Sequence, residues 1–185
     1  MSSEINVYSE ITPNPNTLKF LVNQELGKRT YDFISQEEAQ ERSPLALKLF
    51  MIKDIEGVYL GKNFITVTKG TSQDWNSYED DIIDTITDHL KSGDPVVHES
   101  KMEEPDDSEL GEVEKQIKKI IDEEVRPAVA MDGGDIVYKG FEDGIVYLRM
   151  MGACAGCPSS TMTLKMGIEM RLKEAIPEVN EVIDV

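Results

Sequence analysis

Met151-Gly-Ala-Cys154-Ala-Gly-Cys157-Pro-Ser-Ser160 joins a predicted strand, 145–150, to a predicted helix, 159–175, and so sets the order of elements in the second half of the chain. It holds the only two cysteines, Cys154 and Cys157, in a C-x-x-C array. The loop ends at a helix N-terminus, where unpaired backbone N–H groups and the helix dipole favour negative charge. We therefore expect both thiols to ionise easily.

The C-x-x-C spacing alone is compatible with a redox dithiol, half of a zinc site, half of an iron–sulfur site, a structural disulfide or two incidental core residues. Zinc and iron–sulfur sites usually need four protein ligands, and one chain offers two thiols. The histidines, His89 and His98, are far away in sequence, and we expect both to be solvated. A four-thiolate site thus requires two chains and predicts a symmetric dimer, whereas a redox dithiol requires none.

Composition excludes several classes of function. The net charge of the 185 residues is −17 with no basic patch, which argues against binding to nucleic acid or to an anionic membrane. No apolar run is long enough to span a bilayer. The first residues match neither a signal peptide nor an Arg-rich transit peptide, and two cysteines so close together cannot brace a fold. We therefore expect a cytoplasmic protein in a reducing compartment, although a processed organellar protein would have the same kind of N-terminus.

The chain is predicted to form two small α+β domains, 1–92 and 110–185, joined by an acidic flexible linker, 93–109. The segment 93–110 holds 7 acidic residues and 1 basic residue, a net charge of −6. Prolines and few apolar residues accompany this charge, which favours a self-repelling, flexible chain. The first domain is predicted to be an α/β domain whose last helix ends near residue 90. Apolar and polar residues alternate as in strands, Ser43-Pro44 is typical of a helix start, and Gly61-Lys-Asn63 is typical of a hairpin.

The second domain is predicted as helix, hairpin, helix and strand. An apolar helical stripe over 110–125 leads to Pro127, which is expected to end the helix. Asp132-Gly-Gly-Asp135 is typical of a tight turn, and the turn itself accounts for these residue types better than a metal role for the carboxylates. In the last helix, three methionines fall nearly opposite the buried stripe, so they could face a second subunit or a client protein: Met162, Met166 and Met170.

Several motifs carry a family resemblance. Asp132-Gly-Gly-Asp135, the cysteine loop and Thr163-Leu-Lys-x-Gly-Ile-Glu169 resemble the C-terminal domain of NifU, which the Nfu proteins share. Thr12-Pro-Asn-Pro-Asn-Thr-Leu-Lys-Phe20 and Gly61-Lys-Asn-Phe-Ile-Thr-Val-Thr-Lys69 resemble the Nfu N-terminal domain, as does Ser43-Pro-Leu-Ala46. Together these motifs cover nearly all the chain except the linker.

The resemblance implies a non-enzymatic iron–sulfur cluster carrier or scaffold. Cys154 and Cys157 of two subunits would hold one 4Fe–4S cluster between them, with 2Fe–2S less favoured. The implied partners are a second copy of the chain, upstream cluster-assembly proteins and apo iron–sulfur clients. The alternatives are a thiol–disulfide oxidoreductase, in which Cys154 attacks and Cys157 resolves, and a zinc-bridged structural dimer.

Overall fold

The structure is a computed structural model that describes residues 4–70, 74–99 and 107–185. The chain divides into two compact units, Met1–Glu103 and Glu104–Val185, each with its own hydrophobic core. Both units combine helices with a largely antiparallel sheet, which confirms the predicted α+β class.

The first unit is built on a five-stranded antiparallel sheet of strand order β1-β2-β5-β4-β3. Its strands are β1 (Val7–Ile11), β2 (Thr17–Val22), β3 (Tyr31–Phe33), β4 (Ile55–Leu60) and β5 (Phe64–Lys69). Leu18, Phe20 and Val22 alternate along β2 into the core, as the period of two requires for a sheet with one helix-covered face. The hairpin predicted at residues 61–63 joins β4 to β5 and is confirmed.

Two serines set the helix starts in this unit. The helices are α1 (Gln36–Arg42), α2 (Pro44–Phe50) and α3 (Glu79–Ser92), and a short 3-10 turn, Trp75–Ser77, precedes the last. Ser35 Oγ accepts the Glu38 N–H, and Ser43 Oγ accepts the Ala46 N–H at 3.0 Å. Both serines thereby satisfy backbone donors that a helix start leaves unpaired.

The first residues of the predicted linker contact the first unit. Val96 and Val97 pack against its core, Ser43 Oγ donates to the Val96 carbonyl at 2.6 Å, and the His98 N–H bonds to the Arg42 carbonyl. His89 lies beneath this segment with 1% of its surface exposed, so the expectation of a solvated His89 is wrong. Residues 100–106 of the predicted linker lie outside the described residues, and its flexibility stays a prediction.

His89 is buried because both ring nitrogens have partners. Nδ1 lies 3.0 Å from Lys48 Nζ and Nε2 lies 3.3 Å from the Pro95 carbonyl. An Nε2–H tautomer satisfies both contacts, since the ammonium donates to Nδ1 and the ring donates to the carbonyl. Burial, reinforced by the Lys48 ammonium, lowers the pKa of His89 below its usual value.

The second unit packs helices on one face of a three-stranded sheet of order β6-β7-β8. Its elements are α4 (Glu112–Ile120), α5 (Arg126–Met131), β6 (Gly134–Glu142), β7 (Ile145–Gly152), α6 (Pro158–Ala175) and β8 (Glu181–Asp184). β6 and β7 form the predicted hairpin, and α6 returns the chain so that β8 lies parallel to β7. The predicted order of helix, hairpin, helix and strand is confirmed.

The prediction that Pro127 ends the first helix of this unit is wrong. A π-helical turn, Ile121–Val125, lies between α4 and α5, and the helical backbone continues to Met131. The Arg126 N–H bonds to the Ile121 carbonyl, five residues back. After this wider turn, Pro127 lies in the first turn of α5. A proline is tolerated in a first turn, because its missing N–H is not needed there and its fixed φ fits a helix.

No helix within the described parts of the chain is both long and apolar enough to cross a membrane.

Candidate metal centre

The two cysteines lie on a short loop between β7 and α6. Gly152 is the last residue of β7, and Cys157 is the N-cap of α6. Gly152 and Gly156 have φ values of 60° and 66°, in the left-handed region that favours glycine. The Cys154 and Ala155 N–H groups bond to carbonyls three residues back, which closes the turn between the strand and the helix.

The start of β6 forms the floor of this loop. Gly134 pairs with Gly152 across the sheet, and the Ala153 N–H donates to the Gly133 carbonyl at 3.1 Å. A Cβ atom added at Gly134 would lie 2.2 Å from Cys154 Sγ. The Cys154 thiol therefore lies directly on the Cα atom of Gly134, and only glycine leaves room for it. The Asp-Gly-Gly-Asp turn is thus part of the site.

Both thiols are buried, and neither is in a disulfide. Cys157 is fully buried and Cys154 is 6% exposed, packed within the core of the second unit. Burial raises the pKa of the Cys154 thiol to about 12, and the carboxylates of Asp132, Asp135 and Asp184 act in the same direction. The expectation that Cys154 ionises easily is therefore wrong for the chain alone, because removal from water outweighs the partial charge at the α6 N-terminus.

Asp135 has an ion-pair partner that sequence reasoning missed. Arg126 donates to both oxygens of its carboxylate, with Nε–Oδ1 and Nη2–Oδ2 distances of 2.8 Å, and Asp135 is 3% exposed. The bidentate hydrogen bonds raise the pKa of Arg126. The pair fixes the start of β6 under the cysteine loop. Nothing in the spacing of nine residues indicates it, since the contact depends on the turn at the end of α5.

The described part of one chain offers too few grouped side chains for a metal site. Among residues 4–70, 74–99 and 107–185, no group of three or more histidine, cysteine or acidic side chains could hold a metal ion. His89 is enclosed in the first unit, and the Asp135 carboxylate is engaged by Arg126. The arrangement therefore offers two thiols on one loop, which fits half of a four-thiolate centre.

Comparisons with known proteins match both units. The family model described as scaffold protein Nfu/NifU N-terminal matches residues 7–93, and that of the NifU-like domain matches residues 117–183. The human NFU1 iron–sulfur cluster scaffold homolog, a mitochondrial protein, is 47% identical over 97% of this chain and 71% of its own length. A NifU-like protein of Schizosaccharomyces pombe is 38% identical over 97% of this chain and 72% of its own length.

The relatives correct one expectation. The corresponding protein of Drosophila virilis, 42% identical over 97% of this chain and 61% of its own length, is also named as mitochondrial. The human and Drosophila names overturn the cytoplasmic location expected from the first residues. A targeting segment is removed after import, so the first residues of a chain do not decide its compartment.

Proposed function

Because the chain belongs to the Nfu family of proteins with a NifU-like domain, we propose that it is an iron–sulfur cluster scaffold that carries a 4Fe–4S cluster and delivers it to apo-proteins. Cys154 and Cys157 of two copies supply the four thiolates. The role is binding and transfer, without catalysis. The chain's partners are then a second copy, an upstream cluster-assembly protein and apo iron–sulfur clients.

The observation that carries the proposal is the half-set of ligands. Two thiols, three residues apart, lie at the N-terminus of α6, and no third metal-binding side chain accompanies them in the described parts of the chain. A single chain is left two ligands short of a Cys₄ centre, and a two-fold pair of chains completes it.

Burial of the thiols defines what the chain must do when it binds the cluster. The loop between Gly152 and Gly156 has to open so that both sulfurs reach a second copy, and the two positive-φ glycines are the positions where the backbone can turn. Iron then replaces the thiol protons, since a coordinating thiol is deprotonated outright. Burial disfavours a bare Cys154 thiolate, and the carboxylates of Asp132 and Asp184 act in the same direction, so the apo form holds this thiol neutral.

Transfer of the cluster to an apo-protein depends on access to the cluster and on the two-unit architecture. Once the cysteine loop has opened, the bound cluster is accessible to thiols of an apo-protein, which can replace Cys154 and Cys157 one at a time. The first unit, taken here as residues 1–92, contacts the client, and the linker over 93–109 lets the cluster domain, 110–185, reach it.

A thiol–disulfide oxidoreductase is the weaker alternative. That chemistry needs an accessible, low-pKa attacking thiol. Cys154 is buried and burial raises the pKa of its thiol to about 12, so it is a poor nucleophile in the resting chain. The β6–β7 hairpin before the loop also differs from the βαβ unit that precedes the cysteines in thioredoxin-like proteins.

Anaerobic reconstitution with iron and sulfide tests the proposal. The expected result is about four irons and four sulfides per two chains, with visible absorption and a dimer in light scattering. Cys154→Ser should abolish all three, whereas Ala155→Ser, which adds the same hydroxyl to the same loop, should keep them. A colourless monomer that reduces insulin disulfides would contradict the proposal, and so would a Cys154→Ser variant with full iron content.

A further inference from the structure

Within the second unit, helix α6 exposes a row of apolar side chains. Met162, Met166 and Met170 are 70%, 65% and 63% exposed, one turn apart along the helix. The opposite face, with Ile168 and Leu172, is buried in the core of the second unit. Methionine is flexible and polarisable, and rows of it are common on surfaces that bind other proteins. The exposed methionines therefore mark a contact surface.

A glycine lies at the edge of the same face. Gly167 is in the middle of α6, where glycine is the least favourable residue after proline. Apart from its chain neighbours and the α6 backbone, no heavy atom of the described chain lies within 4 Å of the position its Cβ would occupy, so this position faces open space. Its φ is not among the positive values that favour glycine. What glycine provides at this position is a notch in which another backbone can approach closely.

We propose that this face, Met162, Met166, Gly167 and Met170, packs against the same face of α6 in a second copy, with the two helices crossing at Gly167. The inference rests on the proposed function, because the shared cluster is what brings two copies together. Cys157 is the N-cap of α6, so ligation by two copies brings two α6 N-termini to one centre. At 1.5 Å per residue, Met162 and Gly167 lie only about 7 and 15 Å along the axis from Cys157.

Charge also favours a second copy as the occupant. The chain carries a net charge of −17, so two copies repel one another over most of their surfaces. The three methionines are uncharged, and the charged residues that flank the row, Lys165 and Glu169, have opposite signs. Self-association through this face therefore adds little to the repulsion between two copies.

The size of the face predicts when the contact forms. Three methionine side chains supply on the order of a few hundred Å² per copy, well below the roughly 800 Å² per partner of a stable interface. The helix contact alone is therefore too small to hold a dimer. The apo chain should be monomeric, and the contact should prolong the lifetime of the cluster-bound dimer.

Gly167→Leu, made in the full chain, tests this directly. The apo variant should remain a monomer with a melting temperature no lower than that of the unmodified chain, because the site is open and leucine favours helix. After reconstitution, its dimer should lose iron to a chelator about tenfold faster, the effect of removing one contact of ordinary strength. Gly140→Leu is the matched control, since a Cβ there also meets no heavy atom within 4 Å in the described chain but lies on β6.

A charge swap identifies the occupant. Met166→Glu and Met166→Lys should each shorten the lifetime of the dimer, and an equimolar mixture of the two reconstituted together should restore it. Unchanged lifetimes in both Gly167→Leu and the charge variants would overturn the inference and leave the cluster-carrier function standing. An unchanged lifetime with slower transfer to an apo-ferredoxin would overturn it too, because the face would then belong to a client. Failure of the unmodified chain to take up iron and sulfide would overturn the proposed function itself.

Discussion

Gly134 is the position at which a one-carbon change should most clearly disturb the cysteine loop. In Gly134→Ala, the added Cβ would lie 2.2 Å from Cys154 Sγ, 3.0 Å from the Cys154 amide nitrogen and 3.1 Å from Cys154 Cβ. The amide nitrogen belongs to the backbone, so rotation of the thiol cannot relieve all three contacts. The variant must move the loop away from β6.

The expected cost follows from the energetics of overpacked cores. Inserting one methyl group into a well-packed site typically costs 1–3 kcal/mol, and here the backbone contact places the loss at about 2 kcal/mol or more. For a unit of this size, 1 kcal/mol corresponds to a change in Tm of roughly 4–8 °C. The melting temperature of the second unit should therefore fall by roughly 8–16 °C.

The two units allow an internal reference in the assay. The single tryptophan, Trp75, is in the first unit, so its fluorescence follows that unit alone, whereas far-UV circular dichroism follows both. Gly134→Ala should lower the melting temperature of the second unit, seen by circular dichroism, and leave that of the first unit, seen by Trp75 fluorescence, unchanged. It should also speed the reaction of the apo chain with a disulfide reagent, since the displaced Cys154 becomes more exposed.

Gly140→Ala is the control, because it makes the same change in the same strand at a position with open space. It should leave the second transition unchanged or raise it slightly. If Gly134→Ala and Gly140→Ala unfold at the same temperature and react with thiol reagents at the same rate, then Gly134 is not the floor of the loop and the argument from its missing Cβ is refuted.

Three further predictions address the ion pair, the histidine and the thiols. In urea unfolding, Arg126→Gln should lower the stability of the second unit by about 3 kcal/mol, because it leaves the Asp135 carboxylate charged, buried and without its ion-pair partner. Arg171→Gln is the control, since it removes an exposed ion pair and should have little effect on the same measurement. The pKa of His89 is lowered in the folded state, so the unfolded chain takes up a proton at a higher pH than the folded chain does. The melting temperature of the first unit, followed by Trp75 fluorescence, should therefore fall as the pH drops below about 6.5. In a His89→Gln variant, this melting temperature should depend less on pH. Fully buried Cys157 should alkylate with iodoacetamide at pH 8 many times more slowly in the native apo chain than in urea, and equal rates would contradict its burial.

Local signals in the sequence were sufficient for the elements of the first unit. Ser35 and Ser43 define helix starts by satisfying specific N–H groups, and a short turn between alternating runs defines a hairpin. These interactions act within a few residues, so their outcome is visible in the sequence. Pro127 was misjudged because its effect depends on the π-helical turn before it, which the sequence pattern did not indicate.

The chemistry of the site was less predictable than its position. The cysteine spacing located the loop, and the helix dipole suggested easily ionised thiols. The burial of Cys154 on Gly134 and the pairing of Arg126 with Asp135 depend on contacts between elements distant in sequence. His89 was misjudged for the same reason, since Lys48 and the 95–98 segment meet it only in the folded unit.

Native mass spectrometry of the anaerobically reconstituted chain tests the central claim most directly, because it weighs the assembly with its cargo. The account predicts a species of two chains plus the mass of four irons and four sulfides, and single chains without metal when either cysteine is replaced by serine. A single chain with bound iron and sulfide, or two chains joined only by one zinc ion under the same iron-and-sulfide conditions, would contradict it.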